Sequence, residues 1–323
     1  MQYILLLLGF VLLIKGADYF VEGSSSVAKL MHIPTVIIGL TVVAFGTSLP
    51  ELSVSLTASL QGANALAVGN VVGSNIFNVL IVLGVSSLIA PVKSNASVLK
   101  KEFPFSIIIS VLLFLLMGGY NIMAMATPGT MFTLTRIGGF ILLACFVWFI
   151  VSTVKDALKA RGEFKSSEEV EEYEVLPAWK SAVFIVLGIA GIGIGGELVV
   201  NSASVIGMSF GMTESFVGLT IVALGTSLPE LVTSVVAAKK GENDLALGNV
   251  VGSNIFNVLL ILGSSAAISP ITVAGDSMYD ILIATVFSIA VFLMAKSKGE
   301  ISKKEGAVFV LLYAVFFAYI LMR

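Results

Sequence analysis

Long apolar blocks separated by short polar stretches run through nearly the whole chain. A helix needs about 20 apolar residues to cross roughly 30 Å of hydrocarbon, and the pattern contains ten blocks of this kind. It therefore predicts an all-α integral membrane protein with ten transmembrane helices. Their expected bounds are Tyr3–Leu30, Val36–Leu60, Leu66–Ala90, Phe103–Tyr120, Phe132–Thr153, Ala182–Met208, Ser215–Ala238, Leu245–Ser269, Ile281–Ala295 and Ala307–Met322.

The composition excludes an ordinary soluble globule. Hydrophobic residues make up 57% of the chain and charged residues 12%, and the mean hydropathy is +1.05, which leaves too few polar residues to cover a water-exposed surface. The block that follows Met1 has no basic segment before it and no small-residue cleavage site, so we expect a retained helix and not a signal peptide.

Enzyme chemistry is poorly supplied. The single histidine, His32, excludes histidine-based metal cages and a Ser-His-Asp arrangement, and the single cysteine, Cys145, is expected to be a small buried hydrophobic side chain. We expect no enzyme activity and no cofactor. The formal net charge of -2 gives no reason to expect a nucleic-acid partner.

The longest polar stretch, Lys155–Lys180, separates five predicted helices from five. We interpret it as a cytoplasmic linker between two five-helix units, residues 1–154 and 181–323. Its acidic run, Glu168–Glu174, is interpreted as solvated, with a regulatory cation site as the alternative. Of the 18 basic residues, 15 fall in loops on one side of the membrane, and cytoplasmic loops carry the positive excess. Both termini should therefore lie outside the cell.

Two motifs occur twice. GLTVVAFGTSLPEL at Gly39–Leu52 returns as GLTIVALGTSLPEL at Gly218–Leu231, and GNVVGSNIFNVL at Gly69–Leu80 returns unchanged at Gly248–Leu259, both 179 residues later. Because each unit has an odd number of predicted helices, the second copy enters the membrane from the opposite side. Inverted repeats with broken helices are typical of secondary transporters, whose substrate site lies near the midplane.

Each GTSLPE motif predicts a broken helix. A proline inside a helix removes a backbone hydrogen bond, so we expect breaks at Gly46–Pro50 and Gly225–Pro229. Within a bilayer such a break is tolerated only where protein or a water-filled cavity satisfies the backbone. The carbonyls expected to be free as ligands are those of Ala44, Phe45, Ala223 and Leu224.

The repeated motifs also bring oxygen-bearing side chains onto shared helix faces. Thr47 and Glu51 lie four residues apart, as do Ser74 and Asn78, and such pairs are neighbours on a helix. The predicted cation ligands are Glu51, Glu230, Thr47, Ser48, Thr226, Ser227, Ala44, Ala223, Ser74, Ser253, Asn78 and Asn257. Their oxygen atoms suit Ca²⁺ and Na⁺.

The two glutamates are the strongest candidates in this set. A charged side chain at the bilayer centre costs at least about 2.5 kcal/mol, so Glu51 and Glu230 need a compensating role. The alternative is a protonated, hydrogen-bonded glutamate inside the bundle. For Asn75 and Asn254, a helix-packing hydrogen bond and a cation contact both remain open. Gly73 and Gly252 of the same motif are expected to permit close helix approach.

GTSLPE and GNVVGSNIFN, each present in two copies, resemble the alpha-repeat signature of the sodium/calcium exchanger family, within the cation/calcium antiporters. The resemblance covers essentially the whole chain and implies ten helices in two inverted halves around a central cluster of cation sites. It implies that Glu51 and Glu230 bridge Ca²⁺ and Na⁺. It also implies that further ligands come from Thr47, Ser48, Thr226, Ser227, the carbonyls of Ala44 and Ala223, and, for flanking Na⁺, Ser74 and Ser253.

Two departures from related patterns bear on ion coupling. Potassium-dependent exchangers and some archaeal relatives carry an aspartate where this chain has Asn257, which argues against a potassium site. Proton-coupled exchangers place an additional acidic residue near Ser74 and Ser253, where this chain has none. The expected activity is therefore Na⁺/Ca²⁺ antiport, with a proton-coupled antiporter for Ca²⁺ or another divalent cation as the alternative. Two ionised glutamates balance one Ca²⁺ but not the family's usual three Na⁺, so exchange should be electrogenic.

The first and sixth predicted helices are rich in glycine, which allows close helix contact. The resemblance implies that this pair slides to alternate access; ordinary tight packing is the alternative. Within the first helix, Lys15 and Asp18 are expected to form a local ion pair, and neither Asp18 nor Glu197 is expected in the cation site.

Two other function classes fit less well. A cation channel would need a pore-loop pattern, and an intramembrane hydrolase would need a base beside Ser48 or Ser227. The expected partners are Ca²⁺, Na⁺ and the lipid bilayer. The sequence does not set the oligomeric state, and one chain suffices for the expected transport.

Overall fold

The computed structural model describes residues 1–93, 96–166, 176–211 and 223–322. Within these ranges seven helices are long and apolar enough to cross a membrane, or eight when a bent pair, Thr35–Thr47 with Leu49–Leu60, is taken as one span. The acidic run Glu168–Glu174, within the predicted linker, lies outside the described residues.

The described residues up to Ser166 form ten helices, two π-helical segments and two strands. They are α1 (Gln2–Met31), α2 (Thr35–Ile38), π1 (Gly39–Val43), α3 (Ala44–Thr47), α4 (Leu49–Leu60), α5 (Asn64–Phe77), π2 (Asn78–Val82), α6 (Leu83–Ile89), β1 (Val92–Lys93), α7 (Ala96–Lys100), α8 (Glu102–Leu116), α9 (Ile122–Met125), β2 (Met131–Leu134) and α10 (Arg136–Ser166).

The described remainder follows a similar order. Its elements are α11 (Ala178–Ser209), α12 (Ala223–Gly225), α13 (Leu228–Lys239), α14 (Asn243–Phe256), π3 (Asn257–Leu262), α15 (Gly263–Ile268), β3 (Ile271–Ala274), α16 (Gly275–Lys298), β4 (Glu300–Ile301) and α17 (Lys303–Met322).

Seven of the ten predicted spans correspond to long apolar helices of the structure, and the second corresponds to the bent pair. The predicted fourth span becomes α8, which has only 15 residues. The predicted seventh span begins at Ser215, outside the described residues, and its described part ends in α13. The count of ten membrane-spanning helices therefore stays a prediction.

Two continuous helical rods form the centre of the molecule. In Asn64–Ile89 and Asn243–Ile268, 72% and 94% of the apolar stretch is buried inside the protein. In the peripheral helices α10 and α17 the buried share is only 28% and 22%, so their apolar surfaces face outward, as expected of helices in contact with lipid. The buried polar residues of both repeated motifs lie on the central rods and on the helices packed against them.

The helices α1 and α11 pack along their length through glycines. A Cβ added to Gly16 would lie 2.6 Å from the main-chain nitrogen of Ile192, and one added to Gly195 would lie 2.5 Å from that of Leu13. Both distances are shorter than a carbon atom tolerates, so these backbones meet at distances that only glycine permits.

Two short antiparallel sheets join the two parts of the chain. β1 pairs with β4, Val92 opposite Ile301, and β2 pairs with β3, Phe132 opposite Val273. The prediction that a helix begins at Phe132 is therefore wrong, because the backbone there pairs with β3 and the helix begins at Arg136.

The predicted ion pair between Lys15 and Asp18 is also wrong. The loop between α13 and α14 lies against α1, and its Lys240 Nζ is 2.6 Å from Asp18 Oδ1. In the same loop, Glu242 Oε1 accepts hydrogen bonds from Ser25 Oγ at 2.5 Å and Lys29 Nζ at 3.2 Å. Tertiary partners therefore replace the local one. Asp18 lies outside the candidate site, as expected.

Candidate functional site

Both predicted helix breaks are present. Ser48 separates α3 from α4, and the segments on its two sides, Thr35–Thr47 and Leu49–Leu60, are bent by 50° relative to each other. Ser227 lies directly before α13 in the same way. Each new helix has proline in its first turn, where the missing N–H costs nothing. The same first turn carries the glutamate, Glu51 in α4 and Glu230 in α13, and a helix N-terminus favours a carboxylate.

The carbonyls at the breaks are less free than predicted. Ala44 O accepts the amide N–H of Ser48 at 3.1 Å, and Leu224 O accepts that of Ser227 at 3.3 Å. The prediction of unbonded carbonyls is wrong at these two positions because the last helical turn closes normally before the break. A carbonyl has two lone pairs, and the second one at Ala44 takes only a long contact of 3.4 Å from Thr47 Oγ1. Ala223 begins the described part of α12.

Glu51 is buried between the two repeated motifs, with no exposed surface. Its Oε1 accepts hydrogen bonds from Ser227 Oγ at 3.1 Å and from Ser74 Oγ at 3.4 Å, and the two serine hydroxyls are 2.9 Å apart. One serine comes from the other motif copy and one from the next helix of the same copy. The carboxylate therefore joins α4, α5 and the segment before α13.

Glu230 has the equivalent surroundings. Its Oε1 accepts from Ser48 Oγ at 3.0 Å and from Ser253 Oγ at 3.5 Å, and the residue is 1% exposed. Each glutamate is thus bonded to the serine of the Thr-Ser pair that precedes the other glutamate. Four of the predicted hydroxyl ligands, those of the serines, are brought together with the carboxylates in this way.

The two predicted threonines bind asparagines that sequence reasoning missed. Thr47 Oγ1 lies 3.1 Å from Asn249 Oδ1, and Thr226 Oγ1 lies 3.3 Å from Asn70 Oδ1. The asparagines occupy the second position of GNVVGSN in each copy. Asn70 precedes Ser74 by four residues, so the two side chains share a helix face. This spacing could have identified Asn70 as a site residue.

These asparagines also hold the helices that carry the glutamates. Asn70 Nδ2 donates to Ser55 Oγ at 2.9 Å and to the main-chain carbonyl of Glu51 at 3.3 Å. Asn249 makes the matching pair of bonds to Ser234 Oγ at 2.9 Å and to the Glu230 carbonyl at 3.4 Å. We conclude that the site is supported by a second layer of buried hydrogen bonds.

Four further asparagines meet where the two central rods cross. Asn75 Nδ2 donates to the carbonyl of Asn254 at 3.4 Å, and Asn254 Nδ2 donates to the carbonyl of Asn75 at 3.3 Å. Asn257 Nδ2 donates to Asn75 Oδ1 at 2.9 Å, and Asn78 Nδ2 donates to Asn254 Oδ1 at 3.0 Å. Of the two alternatives for Asn75 and Asn254, the helix-packing hydrogen bond is confirmed.

The close approach predicted for the two glycines is confirmed at one of them. A Cβ on Gly252 would lie 2.7 Å from Ala44 Cβ and 2.7 Å from Leu40 O, so α14 touches π1 and α3 at this point. Around Gly73, none of the described residues has a heavy atom within 4 Å of the corresponding position.

The predicted site residues share deep burial and an excess of acceptors. Each of the eleven whose side chains are described is at most 7% exposed. Among the described residues, four of their buried oxygens have no hydrogen-bond partner: Glu51 Oε2, Glu230 Oε2, Asn78 Oδ1 and Asn257 Oδ1. Buried polar atoms are normally bonded, and oxygen acceptors without donors are what a hard cation coordinates.

Comparisons with known proteins agree with this arrangement. The family model described as "Sodium/calcium exchanger protein" matches residues 1–155 and 180–322. The chain belongs to the sodium/calcium exchanger family. It is 39% identical over 316 residues to the putative antiporter CaxA of Alkalimonas amylolytica, covering 96% of this chain and 95% of that protein. It is 32% identical over 357 residues to the sodium/calcium exchanger MaX1 of Methanosarcina acetivorans, covering 98% and 97%.

A solved structure has the same fold. The sodium-calcium exchanger NCX_Mj, soaked with Na⁺ and without Ca²⁺, superposes with a TM-score of 0.81 at 31% identity, covering 98% of each chain. As a member of the sodium/calcium exchanger family, the protein is a multi-pass membrane antiporter for Ca²⁺ and a counter-cation, and it is a transporter and not an enzyme.

Proposed function

We propose that the protein exchanges Na⁺ for Ca²⁺ across the cytoplasmic membrane by alternating access. The observation that carries this proposal is the set of four buried oxygens that lack a donor among the described residues, contributed by Glu51, Glu230, Asn78 and Asn257. Two carboxylates and neutral oxygens suit both a divalent and a monovalent hard cation. Because both ions draw on one set of ligands, their binding is competitive, which is the requirement for coupled exchange.

The proposed ligands are the predicted set, with different roles. The glutamates contribute charge, and the serines bonded to them contribute hydroxyl oxygens that turn toward the ion. Thr47 and Thr226 lie at the two helix breaks, next to the serines that are bonded to the glutamates. The full proposed set is Glu51, Glu230, Thr47, Ser48, Thr226, Ser227, Ser74, Ser253, Asn78, Asn257 and the carbonyls of Ala44 and Ala223.

Sodium is the proposed counter-ion, with proton coupling as the alternative. In the described part of the site the only carboxylates bonded to the serines are Glu51 and Glu230. Two carboxylates balance one Ca²⁺, so a cycle that carries more than two Na⁺ per Ca²⁺ moves net charge. Each unit charge that crosses 100 mV is worth roughly 2.3 kcal/mol, and a negative interior would favour Na⁺ entry with Ca²⁺ exit.

The reciprocal contacts support two inverted five-helix repeats. The bond from Ser48 to Glu230 has its counterpart in the bond from Ser227 to Glu51, as a two-fold relation between copies requires. We assign residues 1–154 and 181–323 to the repeats and 155–180 to a cytoplasmic linker. Ten spans with both termini outside, a cell-membrane location, and a monomer as the transporting unit complete the proposal.

The pair α1 and α11 is the proposed moving element. Its helices touch through glycine-backbone contacts such as Gly16 with Ile192 and expose large apolar side chains outward. A smooth interface of this kind lets a pair move as one body along the central helices. Ordinary tight packing remains the alternative explanation of the glycines.

The test is ⁴⁵Ca²⁺ uptake by proteoliposomes that contain the purified chain. One set of vesicles holds internal Na⁺, a second holds only a pH gradient, and a third holds Na⁺ with membrane voltage set by potassium and valinomycin. We expect uptake that requires internal Na⁺ and changes with voltage. Uptake driven by the pH gradient alone would replace sodium with proton coupling.

Two variants make the test specific to the site. Glu51→Gln keeps the shape of the side chain but removes its charge, and we expect it to abolish uptake. Glu197→Gln makes the same change on the exposed surface of α11 and serves as the matched control, with uptake retained. Full uptake by Glu51→Gln would refute the assignment of the site.

A further inference from the structure

The asparagines at the crossing of the central rods form two hydrogen-bonded chains. In the first, the main-chain carbonyl of Asn254 is bonded by Asn75, whose Oδ1 is bonded by Asn257. In the second, the carbonyl of Asn75 is bonded by Asn254, whose Oδ1 is bonded by Asn78. We call these chains the carboxamide relays. Each begins at a main-chain carbonyl and ends at a proposed cation ligand.

The carbonyl at the start fixes the direction of every carboxamide in the relay. A main-chain carbonyl can only accept a hydrogen bond, so Asn75 must turn its amino group toward Asn254 and its oxygen toward Asn257. Asn257 must then present its own amino group to Asn75. An isolated carboxamide could turn either way, but here only one orientation satisfies the chain of bonds.

The last oxygen of each relay is left without a donor. Asn257 Oδ1 and Asn78 Oδ1 are buried and have no hydrogen-bond partner in the part of the chain that the structure describes. The segment π3, which begins at Asn257, packs against α4, and π2, which begins at Asn78, packs against α13. The two free oxygens therefore belong to segments in contact with the helices that carry the glutamates.

We propose that Asn75 and Asn254 are positioning residues, which fix the carboxamides of Asn257 and Asn78 with oxygen toward the cation. This inference rests on the proposed function, because the transported cation is the proposed partner of the two unbonded carboxamide oxygens. Without its relay, Asn257 could rotate and present N–H groups, whose partial positive charge repels a cation. Each central rod thus sets the polarity of a ligand on the other rod.

The test measures ion binding without transport. Ca²⁺ and Na⁺ that bind the folded state raise the melting temperature of the purified protein in detergent, and a titration gives the concentration of half-maximal stabilisation. The variants are Asn75→Leu, Asn257→Leu and the double variant. We expect each single variant to raise the half-maximal Ca²⁺ concentration about tenfold or more, because the contact of the Asn257 oxygen with the ion is removed in Asn257→Leu and misdirected in Asn75→Leu.

The double variant separates positioning from packing. If Asn75 acts through Asn257, the double variant raises the half-maximal concentration no further than Asn257→Leu alone, because coupled residues are not additive. The melting temperature without ions falls with Asn75→Leu in either background. The second relay gives an independent cycle with Asn254→Leu and Asn78→Leu, and alanine variants replace any leucine variant that does not fold.

Asn64→Leu, at the start of α5 and outside both relays, is the control and should leave the half-maximal concentration unchanged. The relay is refuted if Asn75→Leu binds Ca²⁺ like the parent protein, or if its effect multiplies that of Asn257→Leu. A parent protein that neither Ca²⁺ nor Na⁺ stabilises would instead refute the proposed function, and the relay with it.

Discussion

The contact between α14 and the first broken helix gives a quantitative prediction for Gly252→Ala. The added Cβ would lie 2.7 Å from both Ala44 Cβ and Leu40 O, against 3.4 Å for ordinary contact. The overlap of about 0.7 Å involves backbone on one side, so a rotamer change cannot relieve it, and the helices must separate. Overpacking of this kind costs about 1–3 kcal/mol.

Separation at Gly252 would also disturb the ion site. Ser253 follows directly and bonds Glu230 at 3.5 Å, and Asn257 lies one helical turn farther along. A shift of this size breaks the weaker bonds and moves two proposed ligands away from Ala44. We expect a lower melting temperature and a raised Ca²⁺ concentration for half-maximal uptake, the second by about tenfold if one contact of about 1.4 kcal/mol is lost.

The assay is thermal unfolding of the purified protein together with ⁴⁵Ca²⁺ uptake, and Gly193→Ala is the matched control. Around the exposed Gly193 none of the described residues has a heavy atom within 4 Å of the new Cβ. Since alanine is about 1 kcal/mol better than glycine inside a helix, that variant should be neutral or stabilised. Equal melting temperatures for the two variants would refute the inferred close approach.

Four further substitutions test other contacts. Ser48→Ala and Ser227→Ala each remove a hydroxyl bonded to a carboxylate, at 3.0 and 3.1 Å, so each should weaken Ca²⁺ binding about tenfold or more in a titration of thermal stabilisation; an effect of only one of them would contradict their equivalence. Thr47→Val loses its bond to Asn249 and should cost about 1 kcal/mol of unfolding free energy, with Thr47→Ser restoring it. Lys240→Gln breaks the partly exposed pair with Asp18 and should cost at most about 1 kcal/mol, an effect that high salt should remove; salt-independent loss would count against an electrostatic contact.

Much of the candidate site could be predicted from the sequence because its signals are local. Glycine and proline around a Thr-Ser pair predict a break wherever the helix lies, and both breaks are confirmed at Ser48 and Ser227. The duplicated motifs identified the two buried glutamates. Neither signal depends on which helices are neighbours in the folded chain.

Partners from distant parts of the sequence could not be predicted in the same way. Local spacing suggested Lys15 for Asp18, but the loop after α13 brings Lys240 to the same face. Phe132 lies in an apolar run typical of a helix, yet it pairs with a strand that follows the other central rod. The orientation of Asn257 depends on the main-chain carbonyl of Asn254, through Asn75, and no local pattern indicates that.

The measurement that tests the account most directly is equilibrium binding of ⁴⁵Ca²⁺ to the purified protein at increasing Na⁺ concentrations. Shared ligands predict that Na⁺ displaces Ca²⁺ competitively, and that Glu51→Gln and Glu230→Gln each abolish Na⁺-sensitive binding while Glu197→Gln retains it. Ca²⁺ binding that is indifferent to Na⁺, or that survives in both site variants, would contradict a common site for the two exchanged ions.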